Sequence, residues 1–462
     1  MAIKFGTDGW RGVIADDFTF ENLKKVTLAH AEVLKEDGAK RVVVGYDMRF
    51  LSPEFGKFVA ELLSGEGFEV SLSATFSPTP AVSYATKYLG FDNGIVITAS
   101  HNYGKYNGYK VKEAFGGAAR TVYVKRIEDK LKEVEKKSGS KGEIELLDIN
   151  TPYIEGVRGQ IDLSLFKERE VKIVHDAMFG AQQGFVSKAL EGTKATVTQI
   201  HSYRDPLFDN KHPEPIVEKN IKTLMEKVRA TGSDIGIAHD GDGDRVGIVD
   251  ERGNFVNSQI VYALILLHLL RNKGLKGGCV VKTVSTGYLV NRICEAFGIE
   301  LVETPVGFKN ITEVMLERKV LFGGEESGGY ALIDYLPERD GLLMGLYVVE
   351  KMIVEDKTVS QMVDSLFKEF GSAYYRRIDL PVTEKERERL KELILSPPSE
   401  VEGKKVKKAL TIDGLKLIFE DDSWLLFRPS GTEPVFRTYA EAPTPSDVER
   451  LIGTGVNLIK GV

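Results

Sequence analysis

Asp240, Asp242 and Asp244 alternate with glycines in the run DGDGDR, which closes on Arg245. Three carboxylates this close in the chain repel one another strongly unless a cation neutralises them. A hard divalent cation with oxygen ligands suits the set, and the intervening glycines let the three side chains converge on one point. The flanking runs DIGIAH and VGIVD are short, apolar and β-branched, which predicts a loop between two strands. Read as an EF-hand, the three aspartates fill the first ligand positions and Glu251 falls at the twelfth. That reading fails at the sixth position, where Arg245 stands instead of glycine, and in the flanks, which read as strands rather than helices. A solvated acidic turn without a ligand is the plainer alternative.

A second constellation is ITASHNYGKYNGYK, residues 97–110. Ser100 ends an apolar strand and is followed by His101, Asn102 and a polar, glycine-containing loop that reaches Lys110. A serine so placed, beside cationic and amide donors, can act as a nucleophile or carry a phosphoryl group. The structural alternative is an ordinary helix N-cap or turn. A serine-hydrolase reading is weaker, because Ser100 and His101 are adjacent and the chain has no GxSxG elbow. Further on, GGEESGG (323–329) sets Glu325, Glu326 and Ser327 between paired glycines, which offers acceptors for hydroxyl groups, although a tight turn explains it as well. In RPSGTEPVFR (428–437), Arg428, Ser430, Thr432 and Arg437 bracket Gly431, a combination suited to a phosphate dianion. There is no Walker loop and no GxGxxG fingerprint, so neither nucleotide hydrolysis nor dinucleotide binding is indicated.

The elements that must carry these loops follow an α/β pattern. Apolar runs at 41–47, 94–100, 171–177, 234–240, 278–285 and 319–327 read as strands, with amphipathic helices between them. A loose threefold repeat emerges: a strand ending in a polar turn (GYDMR, HDAMFG, KTVSTG) precedes a second strand that ends in TASHN, DGDGDR or GGEESGG. In open α/β sheets ligands gather at the carboxyl ends of strands, so three similar domains could aim three loops into one cleft. The charged segment Val124 to Lys137 is predicted to be the helix that closes the first domain. The last 90 or so residues read as helix, antiparallel strands, helix, a separate α+β domain. The expected division is 1–150, 151–251, 252–371 and 372–462.

At 462 residues the chain is too long for one core. A net charge of −6 without a basic block argues against a nucleic-acid partner. The two cysteines, Cys279 and Cys294, lie on apolar segments, which suits a reducing compartment. The N-terminal residues lack a leader pattern, and the apolar helix near Ile260 to Leu270 is too short to span a bilayer. A cytoplasmic protein without a membrane partner is the expectation, and oligomeric state is left open.

Taken in order, FGTDGWRG, TASHN with YNGYK, DGDGDR, VGFK, GEESGG and RPSGTEP resemble the α-D-phosphohexomutase superfamily over the whole length, in particular its phosphoglucomutase/phosphomannomutase members. The resemblance implies three similar α/β/α domains around a central cleft plus a C-terminal α+β, TATA-binding-protein-like domain. It implies interconversion of hexose 1- and 6-phosphates, with glucose 1,6-bisphosphate as intermediate and activator. Ser100 would be the phosphoserine, and with Asp240, Asp242 and Asp244 it would hold Mg²⁺. His101, Lys110, Arg11 and Arg245 would surround the transferring group, with Lys110 or His101 as general acid/base. Glu325 and Ser327 would grip sugar hydroxyls near Lys309, while Arg428, Ser430, Gly431, Thr432 and Arg437 would anchor the other phosphate. Tyr103 stands where the family usually has proline. Glu326, Gly329, VGFK and PERDG (337–341) lean towards glucose, then mannose, rather than the glucosamine 1-phosphate of phosphoglucosamine mutases.

Overall fold

The computed structural model describes residues 3–6, 8–134, 139–429 and 435–460. One four-strand unit occurs three times. Its central strand pairs in parallel with the next strand on one side and with the third strand on the other, and the third then turns back into an antiparallel fourth. In the first unit these are Arg41–Tyr46, Glu69–Ser73, Asn93–Ile97 and Tyr106–Glu113. The second has Lys172–Asp176, Thr196–Ile200, Ile235–His239 and Val246–Val249. The third has Cys279–Thr283, Glu300–Thr304, Val320–Gly324 and Tyr330–Leu332. Strands Asn93–Ile97, Ile235–His239 and Val320–Gly324 are buried along their whole length, as their unbroken apolar runs require when helices cover both sheet faces. The turn between third and fourth strands is TASHN, DGDGDR or GEESGG in the respective unit, so the repeat seen in the chain is a structural one.

The fourth sheet is antiparallel, in the order Tyr374–Pro381, Val435–Ala442, Trp424–Pro429, Leu415–Phe419, Lys404–Leu410, Glu400–Val401. Alternation sorts its residues. Leu425 and Phe427 join the core under helices Glu384–Leu395 and Pro445–Lys460, while Trp424 and Leu426 point the other way into a core shared with the second and third units. The first strand of this sheet was not anticipated. The helix expected over Val124 to Lys137 spans Thr121–Lys130 instead, and residues 135–138 lie outside the described ones.

Helix Gly341–Glu355 is buried from Gly341 to Met352 and belongs to that shared core. Its N-terminus meets the DGDGDR loop: Gly341 N donates to Gly243 O at 3.2 Å, and a Cβ on Gly341 would stand 2.6 Å from Arg245 O. A helix N-terminus favours nearby anions, so this placement helps the aspartates tolerate burial. Among the described residues no helix is long and apolar enough to cross a membrane.

One core group yields a pH prediction. His30, in helix Phe20–Glu36, is fully buried between the hydroxyls of Tyr109 (2.9 Å) and Tyr123 (3.2 Å), and burial pushes its pKa down to about 3. The folded ring therefore stays neutral where the unfolded one takes a proton. Its contribution is complete above pH 6.5, shrinks as pH falls, and is gone by about pH 3. The thermal midpoint of wild type should exceed that of His30→Gln most at neutral pH, and the gap should narrow between pH 6 and 4. A gap that is constant with pH would contradict this.

Candidate active site

Ser100 lies three residues beyond strand Asn93–Ile97, buried, with a left-handed backbone at φ +52°. A non-glycine residue rarely holds that conformation unless its surroundings impose it. Its hydroxyl donates to Asp240 Oδ2 at 2.8 Å, so the loops of the first and second units meet at this oxygen. It caps no helix. Its own N–H donates to Thr98 Oγ1 at 2.9 Å.

The DGDGDR loop is a hairpin between antiparallel strands, as its flanks predicted. Candidate ligand atoms of Asp240, Asp242 and Asp244 lie within 4.8 Å of one another, and all three residues are buried. Asp242 Oδ1 and Asp244 Oδ1 have no hydrogen-bond partner among the described residues. Buried carboxylate oxygens without partners are costly, and with an all-oxygen donor set they fit a hard divalent cation. Glu251 is engaged elsewhere: it accepts from Thr358 Oγ1 at 2.9 Å and Ser360 N at 3.2 Å, which removes the EF-hand reading.

Cations crowd the triad. Lys110 Nζ stands 2.6 Å from Asp8, 2.8 Å from Asp242 and 3.1 Å from Asp244. Burial alone would lower the Lys110 pKa, but the three carboxylates outweigh it and raise it, so the ammonium is held charged. Asp242 shows the reciprocal balance, with Lys110 overriding burial to keep it ionised. Asp240, in contrast, is pushed well up by burial and by Asp244 and Asp242. Arg339 reaches Asp8 (2.6 Å), Asp244 (2.7 Å) and Glu325 (3.6 Å), and so links loops of all three units.

Arg11 Nη1 donates to Asn102 Oδ1 at 2.6 Å, and Arg245 N donates to Asp240 Oδ1 at 3.1 Å while its guanidinium lies 3.4 Å from Glu214. His101 has a buried Nδ1 with no partner among the described residues. Burial, then Arg245 and Arg11, hold its ring well below the ordinary imidazole range. Glu325 Oε1 accepts from Gly307 N at 2.9 Å, and burial raises its pKa to about 7 against the pull of Arg339. Ser327 Oγ is buried without a partner among the described residues. Lys309 opens helix Phe308–Glu317 and borders a cavity of about 160 Å³ together with Asp8. The Glu326 carboxylate turns to Ser285 Oγ (2.5 Å) and Thr283 Oγ1 (3.3 Å), both on the KTVSTG turn.

On the fourth sheet Arg428 faces Arg437 across neighbouring strands. Arg428 Nε donates to Asp413 Oδ2 at 2.6 Å, and that oxygen also accepts from Val306 N of the third unit at 3.0 Å. Arg437 Nε is buried and has no partner among the described residues. Ser430, Gly431 and Thr432 lie outside the described residues. Sequence reasoning quoted FGTDGWRG and PERDG without assigning Asp8 or Arg339. The signal was there: an acid and a base, each inside a glycine-bearing motif.

Family profiles of phosphoglucomutase/phosphomannomutase match at residues 2–138 (α/β/α domain I), 151–253 (domain II), 257–370 (domain III) and 379–453 (C-terminal domain). The chain is 33% identical to a phosphoglucomutase/phosphomannomutase of Thermococcus kodakarensis, covering 100% of this chain and 99% of the relative. It is 34% identical to a Pyrococcus abyssi protein assigned as a phosphoglucosamine mutase, over 100% and 98%. A solved Thermus thermophilus structure assigned as a phosphomannomutase superposes with a TM-score of 0.89 at 33% identity, over 100% and 99%. Fold and site together define an intramolecular phosphotransferase of the phosphohexomutase class. The chain belongs to the phosphoglucomutase/phosphomannomutase family.

Proposed function

We propose that this enzyme interconverts hexose 1-phosphate and hexose 6-phosphate through a phosphoserine at Ser100, with glucose preferred and mannose second. The observation that carries the reading is the 2.8 Å contact of Ser100 Oγ with Asp240, inside a buried ring of carboxylates and cations. In this scheme the sugar 6-hydroxyl oxygen attacks phosphorus of phospho-Ser100, the bond from phosphorus to Oγ breaks, and the hydroxyl proton passes by way of the general acid/base to the departing Oγ. The product, a 1,6-bisphosphate, turns end for end. Ser100 Oγ then attacks its 1-phosphoryl group, the bond from phosphorus to O1 breaks, the Oγ proton passes to O1, and hexose 6-phosphate remains.

Phosphoryl transfer has a loose transition state, so positioning and charge neutralisation do most of the work. Asp240, Asp242, Asp244 and the phosphate on Ser100 would hold Mg²⁺, which supplies Lewis-acid neutralisation when bound. Arg11, Arg245 and Lys110 add positive charge beside the transferring group. Lys110 is committed to three carboxylates, whereas His101 keeps an open nitrogen among the described residues, so geometry leaves both in reach as the general acid/base. Glu325 and Ser327 would take sugar hydroxyls beside Lys309. Arg428 and Arg437, with Ser430, Gly431 and Thr432, would anchor the phosphate that is not reacting. Each loop would belong to one of four units divided near residues 150, 251 and 371.

A second reading, glucosamine 1-phosphate as substrate, draws on the Pyrococcus abyssi relative. Glu326 favours a neutral sugar, because one of its carboxylate oxygens, Oε2, is already held by Ser285 and Thr283 and so turned to the KTVSTG turn. Phosphorus NMR with Mg²⁺, a trace of glucose 1,6-bisphosphate and separate glucose, mannose and glucosamine 1-phosphates tests both. Glucose 1-phosphate should convert fastest, and EDTA should stop conversion. Faster turnover of glucosamine 1-phosphate would replace the sugar assignment, and release of inorganic phosphate would point to a phosphatase.

A further inference from the structure

Arg49 is a fully buried cation that the scheme above leaves unused. It ends the run GYDMR after strand Arg41–Tyr46. Its guanidinium donates to four backbone carbonyls of the Ser100 loop: Nη2 to Ser100 O and to Asn102 O (2.7 Å), Nη1 to Tyr103 O (2.9 Å) and Tyr106 O (3.2 Å). Its Nε lies 3.0 Å from Asp47 Oδ2. Asp47 accepts from Ser52 Oγ and Thr98 Oγ1, both at 2.7 Å, and Thr98 Oγ1 accepts from Ser100 N. One buried ion pair thus fixes the N–H of Ser100, through Thr98, and its carbonyl directly.

We infer that Arg49 is a positioning residue for phosphoryl transfer, holding Ser100 in its left-handed backbone and drawing four carbonyl oxygens onto one guanidinium. The inference rests on Ser100 as the phosphoryl carrier. Carbonyl oxygens carry partial negative charge and would repel a phosphoryl group, so engaging them on Arg49 lowers that repulsion. Only a planar fork with two separate amino groups can donate to four acceptors while its charge lies against a carboxylate. Lysine, with three donors on one atom, cannot.

The second unit packs on the same clamp. The Phe208 ring lies 4.7 Å from the Arg49 guanidinium carbon, and Phe208 holds a left-handed backbone (φ +55°). Arg204 donates to the carbonyls of Met48 and Arg49, each at 3.3 Å. A Cβ on Gly241 would stand 2.4 Å from Ser100 O, and one on Gly104 2.4 Å from Leu207 Cα. Arg49 therefore also ties the position of Ser100 to the unit that carries the aspartates.

Steady-state mutase kinetics of Arg49→Lys and Phe208→Leu, each with a thermal melt, test this. For Arg49→Lys, kcat should fall on the order of 10²-fold, as a displacement of about 1 Å would cause. Its KM should stay within about threefold, the signature of an interaction that matters in the transition state. Phe208→Leu should lower kcat about fivefold. A purely structural role would lower the melting temperature and leave kcat of the folded enzyme unchanged. Arg49→Lys with wild-type kcat, or with the loss in KM alone, would overturn the inference. If that variant does not fold, an unchanged kcat in Phe208→Leu overturns it. A wild-type enzyme that converts no hexose phosphate would overturn the phosphoserine reading itself, and the positioning role with it.

Discussion

Ser100→Ala is expected to lower kcat on the order of 10⁴-fold or more, the scale on which removal of a nucleophile acts. The fold should survive. The substitution deletes one hydroxyl and one hydrogen bond to Asp240, and Asp240 keeps its bond from Arg245 N, so the stability cost is about 1–2 kcal/mol. Activity should not return with added glucose 1,6-bisphosphate, because the step lost is transfer to and from the serine. Turnover within tenfold of wild type would mean that another group carries the phosphoryl, and the scheme would fall.

Arg339→Ala should be the most destabilising single change in the cleft. Arg339 is buried against Asp8, Asp244 and Glu325, and its removal takes a counter-ion from all three, leaving Lys110 to serve Asp8 and Asp244 as well as Asp242. Breaking a buried pair from one side costs about 3–5 kcal/mol. Urea unfolding in EDTA should show a loss of that size, and added Mg²⁺ should recover part of it, since a divalent ion compensates Asp244. A loss below about 1 kcal/mol would show that water or Lys110 does the compensating instead. Gly329 belongs to this arrangement: a Cβ there would stand 2.3 Å from Arg339 Cδ, so Gly329→Ala should strain the same contact.

What the chain disclosed in advance was chemistry held in contiguous residues. DGDGDR and TASHN carry their ligands and nucleophile within a few positions, and the strands that present them are unbroken apolar runs, so the three α/β units and their loaded turns were readable. The residues that escaped act across distance. Asp8 and Arg339 are 331 positions apart and meet only because the first and third units face one cleft. Arg49 looks like a turn residue until the loop of Ser100 folds over it. Gly329 looks like a substitution in a sugar loop, whereas its missing side chain makes room for Arg339. The helix over Val124 to Lys137 was drawn too long because charge pattern alone does not mark where packing ends. Its buried residues are Tyr123 and Ile127.

The central claim, that Ser100 receives and returns the phosphoryl group, is tested most directly by peptide mapping of the phosphoenzyme. The protein is incubated with Mg²⁺ and glucose 1,6-bisphosphate, freed of ligand, digested, and its phosphopeptide sequenced by mass spectrometry. A second portion is first mixed with unlabelled glucose 1-phosphate. With the phosphoryl groups of the bisphosphate isotopically labelled, the account predicts one labelled phosphate, on Ser100, that is replaced by unlabelled phosphate in the second portion while the label passes to hexose 6-phosphate. Phosphate on another residue, or label that stays on Ser100 in the presence of the sugar phosphate, would contradict it.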